Sequence, residues 1–199
     1  MSKKTVILIS REYGSGGRGI GERLAKELNI PFYDKEVIRL ACQESGFDTS
    51  LFEHTEQQSQ NPFSYLLSMY SATMSASDLS LNDQVFLIQS KVIRDLAKDS
   101  CVIIGRCADY ILKDHEDVLR IFVHADLEDR IERVIDEYGD NDDNIKAKIT
   151  RIDKNRATYY NFYSNRRWGD LANYDLSLNT SKVSIDTCVE LIKNIVENK

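Results

Sequence analysis

The stretch Thr5-Val6-Ile7-Leu8-Ile9-Ser10-Arg11-Glu12-Tyr13-Gly14-Ser15-Gly16-Gly17-Arg18-Gly19 decides the fold. Thr5 to Ser10 is β-branched and apolar without alternation, the pattern of a strand buried on both faces of a parallel sheet. Glu12 to Gly19 is a Gly-rich loop, and Ile20, Leu24, Ala25 and Leu28 then recur at helical spacing. Glycines between such a strand and helix let backbone N–H groups converge on phosphate oxygens, and the helix N-terminus adds a favourable dipole. A Gly-rich loop by itself also suits a plain tight turn; its place directly after a buried strand makes it a phosphate loop. Gly14, Ser15, Gly16, Gly17, Arg18 and Gly19 are therefore the candidate phosphate-binding residues.

The loop departs from the pattern G-x-x-x-x-G-K-[ST] at three positions. Glu12 replaces the first glycine, Arg18 the lysine and Gly19 the hydroxyl residue. Arginine keeps the charge but is longer and grips phosphate in a different geometry. Losing the hydroxyl removes the usual direct magnesium ligand, for which Ser10 or Ser15 is the substitute within reach. No protein ligand for a metal is assigned.

Working outward, short β-branched runs alternate with helical patterns, the signal of βαβ units around a parallel sheet. Pro31–Asp34, Cys101–Gly105, Leu119–Val123 and Leu176–Asn179 read as further strands, and Ile185–Val196 as a closing helix. Residues 35–98 are helical in pattern, with Phe63, Leu66, Leu67, Tyr70 and Met74 on one face. Residues 130–168 are rich in Arg, Lys and Tyr and are split by the turn Tyr138-Gly139-Asp140-Asn141 into two helices. The Asp140–Asp143 cluster reads as a helix N-cap, because it lacks the rest of a calcium loop.

A chain of 199 residues is large enough for one domain with a continuous core. The net charge of -6 excludes a general nucleic-acid coat or an anionic-membrane binder, while leaving room for a local cationic pocket. Cys42, Cys101, Cys107 and Cys188 have no C-x-x-C spacing and read as free thiols of a reducing compartment. His54, His115 and His124 have no metal spacing. Neither a signal-peptide h-region nor a membrane span is present, so the expected location is cytoplasmic.

Six segments, in order, carry a family resemblance: Ser10–Gly17, Tyr33–Ile38, Ile104-Gly105-Arg106, Asp153–Tyr160, Trp168-Gly169-Asp170 and Tyr174–Ser181. Together they resemble the cytidylate kinase-like family of P-loop nucleoside monophosphate kinases over nearly the whole length. The resemblance implies a three-layer α/β/α fold with a five-stranded parallel sheet. The core would be residues 1–34, 99–129 and 169–199, with a helical acceptor-binding region at about 35–98 and a helical lid at about 130–168. It implies that Arg106 holds the acceptor's phosphate, that lid residues Arg151 and Arg156 reach the transferring phosphoryl group, and that Arg130, Thr180 and Ser181 lie near the donor base. Arg18 joins Arg151 and Arg156 as a catalytic cation. The implied cosubstrate is ATP with Mg2+, the partners are small-molecule nucleotides, and a homodimer is compatible with the same reading. Ile104 and Cys107 stand where cytidylate kinases have acidic residues, which puts the cytosine preference in question.

The residues themselves make physical sense of this. Phosphoryl transfer needs positioning and charge neutralisation, so arginines converging on one cleft are expected. Arg106 abuts the C-terminal end of a buried strand, where a parallel sheet keeps its ligand crevice. Arg156, Tyr160, Tyr163 and Arg167 recur at helical spacing as a cationic and aromatic stripe. Asp34 is open to three readings: a substrate or magnesium-water ligand, a partner of Arg18, or a helix cap. Three functions compete: an ATP-dependent kinase acting on CMP or a related phosphorylated acceptor, a nucleotide-binding regulator with a degenerate loop, and an interaction protein that uses only the fold.

Overall fold

The computed structural model describes residues 4–46, 81–140 and 142–198. The apolar helical face expected from Phe63 to Met74 lies outside these residues. In chain order the described elements are β1 (Val6–Arg11), α1 (Gly17–Leu28), β2 (Phe32–Tyr33), α2 (Glu36–Ser45), α3 (Leu81–Leu96) and β3 (Cys101–Ile104). They continue with α4 (Ala108–Ile111), β4 (Val118–His124), α5 (Leu127–Asp136), α6 (Ile145–Ser164), a 3-10 turn (Leu171–Asn173), β5 (Leu176–Asn179) and α7 (Ile185–Glu197).

The five strands form one parallel sheet in the order β2-β3-β1-β4-β5. Ile9 of the central strand lies opposite Ile104 on one side and Ile121 on the other. Because strand side chains alternate between faces, the unbroken apolar run of β1 supplies two cores. Ile7 and Ile9 pack with Ile20 and Leu24 of α1 and Val189 and Ile192 of α7. Val6 and Leu8 pack on the opposite face with Val37 of α2, Ile93 of α3 and Tyr160 of α6. This is the expected three-layer α/β/α arrangement, and it explains why β1 tolerates no polar position before Ser10.

Three local expectations are corrected. The second strand is only Phe32–Tyr33, paired with Val102 and Ile103. The Asp140–Asp143 cluster does not cap the next helix: Asn144 does, accepting from the Ala147 amide at 3.0 Å. Asp140 and Asp142 instead flank the Lys148 ammonium at 2.6 and 3.7 Å. Finally, α6 stops at Ser164 with Asn165 in the left-handed region (φ 52°), so Arg167 lies beyond the helix and is exposed. Tyr163 stacks on Phe86 of α3, with ring centroids 4.0 Å apart. The stripe is therefore reduced to Arg156 and Tyr160.

Two helices close over the loop from the far side. Val134 of α5 with Ile145 and Ile149 of α6 make a small third core, against which Tyr13 of the loop and Leu127 and Ile131 of α5 pack. Among the described residues no helix is long and apolar enough to cross a membrane. Cys101, Cys107 and Cys188 are buried, Cys42 is half-buried, and all four are free thiols.

The start of α1 is packed without slack. A Cβ on Gly17 would sit 2.7 Å from the Arg11 Cβ and 3.1 Å from the Val123 Cβ, atoms rooted in strands that cannot swing aside. Gly17→Ala gains about 1 kcal/mol of helix propensity but overpacks the helix–sheet contact, which costs about 1–3 kcal/mol. We expect urea denaturation to show net destabilisation; a more stable variant would mean the contact yields freely.

Candidate functional site

Where β1 ends, the chain must reverse into α1 within five residues. Gly14 (φ 80°) and Gly16 (φ 78°) take left-handed conformations to do so. A Cβ on Gly14 would lie 2.8 Å from the Arg130 carbonyl, and one on Gly16 2.8 Å from Ile185 Cδ1. Gly16 caps α1 without a side-chain hydrogen bond, and no acidic residue stands in the first turn. The first-turn amides of a helix have no acceptor within it, so those of Gly17, Arg18 and Gly19 are suited to an anion.

The loop is held from behind. Its carbonyls accept hydrogen bonds from Arg130 Nη1 at Tyr13 (3.3 Å), Arg133 Nη1 at Gly14 (2.7 Å) and Thr180 Oγ1 at Ser15 (2.8 Å). Ser15 Oγ donates to the Glu12 carbonyl at 2.8 Å and is fully buried, turned away from any phosphate. Ser181 Oγ accepts from the Asp126 amide at 2.7 Å. Asp153 on α6 joins the parts: one oxygen accepts from the Tyr13 amide at 2.8 Å, and the other pairs with Arg130 at 2.6 Å. In this arrangement Arg130 and Thr180 act as braces of the loop, while Ser181 holds the start of α5.

The arginines divide into two groups. Arg18 points along α1, its Nε donating to Asp34 at 3.0 Å and its Nη1 to Glu22 at 2.9 Å, with the guanidinium over the Phe32 ring. Of the three readings of Asp34, partnership with Arg18 is the one this geometry contains; the cap position of α2 belongs to Lys35. Arg106 and Arg156 instead line a cavity of about 30 Å³ at the C-terminal ends of β1 and β3, with Tyr159, Tyr160 and Trp168. Gly105, Arg106 and Cys107 are three consecutive left-handed residues (φ 67°, 60° and 53°), a strained turn for side-chain-bearing residues. It delivers Arg106 to the cavity. Arg156 Nη1 donates to the Arg11 carbonyl at 3.1 Å. Arg151 is exposed on α6 and does not line the cavity. Five residues advance a helix by about 140° beyond a full turn, so Arg151 and Arg156 cannot share a face.

Arg11 itself lines the cavity and was passed over as a site residue in the sequence. The signal was present: it ends β1 just as Arg106 follows β3. Asp153 and Arg133 carried no such signal, since their partners are loop backbone groups more than a hundred residues away.

Among the described residues no group of three or more His, Cys, Asp or Glu side chains is placed to hold a metal. The carboxylates nearest the loop, Glu12, Asp34 and Asp153, each face an arginine. Gly19 offers no oxygen and Ser15 is turned inward, which leaves only Ser10, at the cavity wall, of the two expected substitutes; one hydroxyl does not make a magnesium site held by the protein.

A parallel sheet of this order, with a Gly-rich loop running from its central strand into a helix, defines a P-loop kinase-type protein. The sequence profile of the cytidylate kinase-like family matches residues 6–182, and the chain belongs to that family. That membership supports a nucleotide kinase in general terms. A crystal structure of an uncharacterized protein from Eubacterium ventriosum is similar at 28% identity and TM-score 0.72, covering 98% of this chain and 100% of that one. Shikimate kinase from Acinetobacter baumannii, solved in complex with shikimate, shares the fold at 13% identity and TM-score 0.54, covering 100% and 96%. The YorR protein of Bacillus subtilis, in complex with phosphorylated GDP, does so at 16% identity and TM-score 0.51, covering 97% and 96%. No curated protein matches the chain.

Beneath the cavity, Tyr160 donates its hydroxyl to Asp109 of α4 at 2.7 Å. Burial pushes the Asp109 carboxyl above the usual carboxylate range, against the Tyr160 hydrogen bond, which lowers it. Burial, and then Asp109, push the Tyr160 phenol up, so it stays a donor throughout the physiological range. Since Asp109 titrates higher in the folded than in the unfolded chain, the native state binds its proton more tightly. Its contribution to stability is present at acid pH and is lost as pH rises from the ordinary carboxylate value through the folded one. Asp109→Asn keeps an acceptor for Tyr160 and removes this slope. Between pH 4 and pH 8 the variant should gain in Tm on the parent as pH rises. Parallel Tm profiles across that range would show that Asp109 keeps its charge at no cost.

Proposed function

We propose that this protein is an ATP-dependent nucleoside monophosphate kinase, moving the γ-phosphoryl group to CMP or a related small phosphorylated acceptor. The observation that carries this reading is the arrangement of an uncapped helix N-terminus behind a Gly-rich loop, with Arg106 and Arg156 gathered in one cavity at the same end of the sheet. The amides of Gly14 to Gly19 would hold the donor's phosphates. Arg106 takes the acceptor's phosphate, and Arg156 neutralises charge on the group in transfer. The guanidinium of Arg18 is engaged by Asp34 and Glu22, so Arg18 contributes its amide to the loop and its side chain to the wall beside it. Arg130 and Thr180 keep the loop in shape for the donor, and Ser181 fixes the start of α5 beside it. Arg151 has no part in the phosphate contacts. Magnesium would arrive on the nucleotide's own phosphates as their counterion. The expected location remains the cytoplasm.

Residues 130–168 form the lid in this reading. Asp153, Arg156 and Tyr160 of α6 bond to the Tyr13 amide, the Arg11 carbonyl and Asp109. These contacts leave a cavity with room for about two waters, far too small for a nucleotide. Acceptor entry therefore requires α6 to lift, and closure then excludes water from the reacting groups.

One observation favours a second reading. Arg18, at the lysine position, faces Asp34 and Glu22 away from the cavity, as expected of a nucleotide-binding regulator that has lost catalysis. Turnover separates the two. A coupled ADP-release assay across nucleoside monophosphates, with shikimate as a hydroxylated non-nucleotide, should show acceptor-dependent turnover. Arg106→Ala should raise the acceptor KM about ten- to a hundred-fold while ATP affinity stays within a few-fold. Background ADP release with every acceptor, beside measurable ATP binding, would put the regulator ahead. Hydrogen exchange of 130–168 should fall when ATP and acceptor are both present; equal exchange in both states would make this segment a rigid hairpin.

A further inference from the structure

We infer that Arg11, the last residue of β1, is the principal phosphate-binding cation contributed by the loop segment, and that with Arg106 and Arg156 it forms a three-guanidinium pocket for a tetrahedral dianion. The inference rests on the acceptor-phosphate reading above and assigns the position-18 arginine a different task.

Four observations converge on it. First, the cavity is lined by Arg11, Arg106 and Arg156 and by no Asp or Glu among the described residues, in a chain of net charge -6. Asp34 stands 4.0 Å from Arg11 Nη2 and Asp153 3.8 Å from Arg156 Nη1, both outside the lining, so an anion entering the pocket meets guanidinium groups and no carboxylate of the wall itself. Second, the Arg11 guanidinium lies directly over Gly105: a Cβ built there would run into Arg11 Nη1. Gly105 at φ 67° is thus required twice, for its backbone angle and for the space Arg11 occupies. Third, Arg11 is held in place at its root. Its Cβ packs beneath Gly17, its carbonyl accepts from Arg156, and Asp34 Oδ1 stands 4.0 Å from its Nη2. The Arg11 side chain is only 16% exposed, against 56% for Arg18. Fourth, Asp34 turns its other oxygen to Arg18 at 3.0 Å, the closer of its two ion pairs. Asp34 therefore holds Arg18 against the outer wall and leaves the longer contact to Arg11. A guanidinium presents paired parallel donors, which suits two oxygens of one phosphoryl group better than an ammonium would. The same chemistry fits free orthophosphate and the phosphate of a nucleoside monophosphate, and the test separates them.

The test is calorimetric titration of inorganic phosphate, CMP and ATP into the full chain and into Arg11→Met, Arg11→Lys and Arg18→Met, each first checked for a native melting transition. Arg11→Met should weaken inorganic phosphate and CMP at least about ten-fold and leave ATP within about three-fold. Arg11→Lys should recover part of the loss, since it restores the charge without the fork. Arg18→Met should weaken phosphate and CMP less than Arg11→Met does, the residual loss coming from Asp34 released onto Arg11. If the parent binds inorganic phosphate but not CMP, the pocket stands and the CMP acceptor fails. If the parent binds neither, or if Arg11→Met binds both as tightly as the parent, the inference is overturned. An Arg18→Met loss as large as that of Arg11→Met would also overturn it. Should Arg11→Met fail to fold, Arg11→Lys decides alone: affinity equal to the parent's would refute the bidentate role.

Discussion

The carboxylate of Asp153 is the point on which the rest of the site depends. One of its oxygens takes the amide of Tyr13 in the loop and the other takes Arg130, so a single side chain on α6 ties loop and α5 together. Both Asp153 and Arg130 are largely shielded from water. Removing one partner from such a pair leaves the other charge buried and uncompensated, which costs far more than the net worth of the pair. The Gly-rich loop has little side-chain packing of its own, and its glycines lose much conformational entropy on ordering. Its shape is therefore imposed largely from outside, by Arg130 and Arg133 on its carbonyls, Thr180 beneath Ser15, and Asp153 on the Tyr13 amide. The amides of the first turn of α1, which face the other way, stay outside this web.

From that bracing follows the distribution of charge. The chain is acidic overall, yet each carboxylate near the loop faces arginine, Asp34 reaching Arg18 and Arg11 and Asp153 reaching Arg130 and Arg156. Asp34 draws Arg18 outward, Asp153 draws Arg130 under the loop, and Glu12 lies 3.6 Å from Arg130 on the same side. Arg11, Arg106 and Arg156 line the cavity, Arg11 and Arg156 at the longer distances of 4.0 and 3.8 Å from Asp34 and Asp153. The left-handed turn at Gly105–Cys107 stores strain to present Arg106, and the packing of Cys107 and Ala108 into the core beneath it holds that strain in place. A cationic cavity inside an anionic molecule suits a small anionic ligand and disfavours a polyanion, which would meet the acidic remainder of the surface.

The architecture was legible in the sequence because parallel strands and amphipathic helices announce themselves by periodicity. The unbroken apolar run of β1 and the spacing of Ile20, Leu24 and Ala25 correspond directly to the two-sided core around the central strand. The expected ends of elements were less accurate. Whether Asp140 or Asn144 caps α6 depends on where Lys148 lands one turn later. Whether Arg167 continues a stripe depends on a left-handed residue at Asn165. Such choices are settled by a few tenths of a kcal/mol to about 1 kcal/mol of local hydrogen bonding, below what pattern reading resolves.

What the sequence determined alone was the order and type of the elements, the phosphate loop and the sidedness of the sheet, since each follows from the local repeat of apolar residues and glycines. What only the tertiary structure decided was which arginine points where. Arg11 ends β1 and Arg18 lies in the first turn of α1, equally charged at the two ends of the loop, and no local pattern tells which way either guanidinium turns. Asp34, delivered by β2 from the next βαβ unit, takes Arg18 at the shorter distance, and Gly105, delivered by β3, opens the space that Arg11 fills. An arginine side chain reaches several ångströms in any of many rotamers, so its direction is a property of the charges and gaps the fold brings to it.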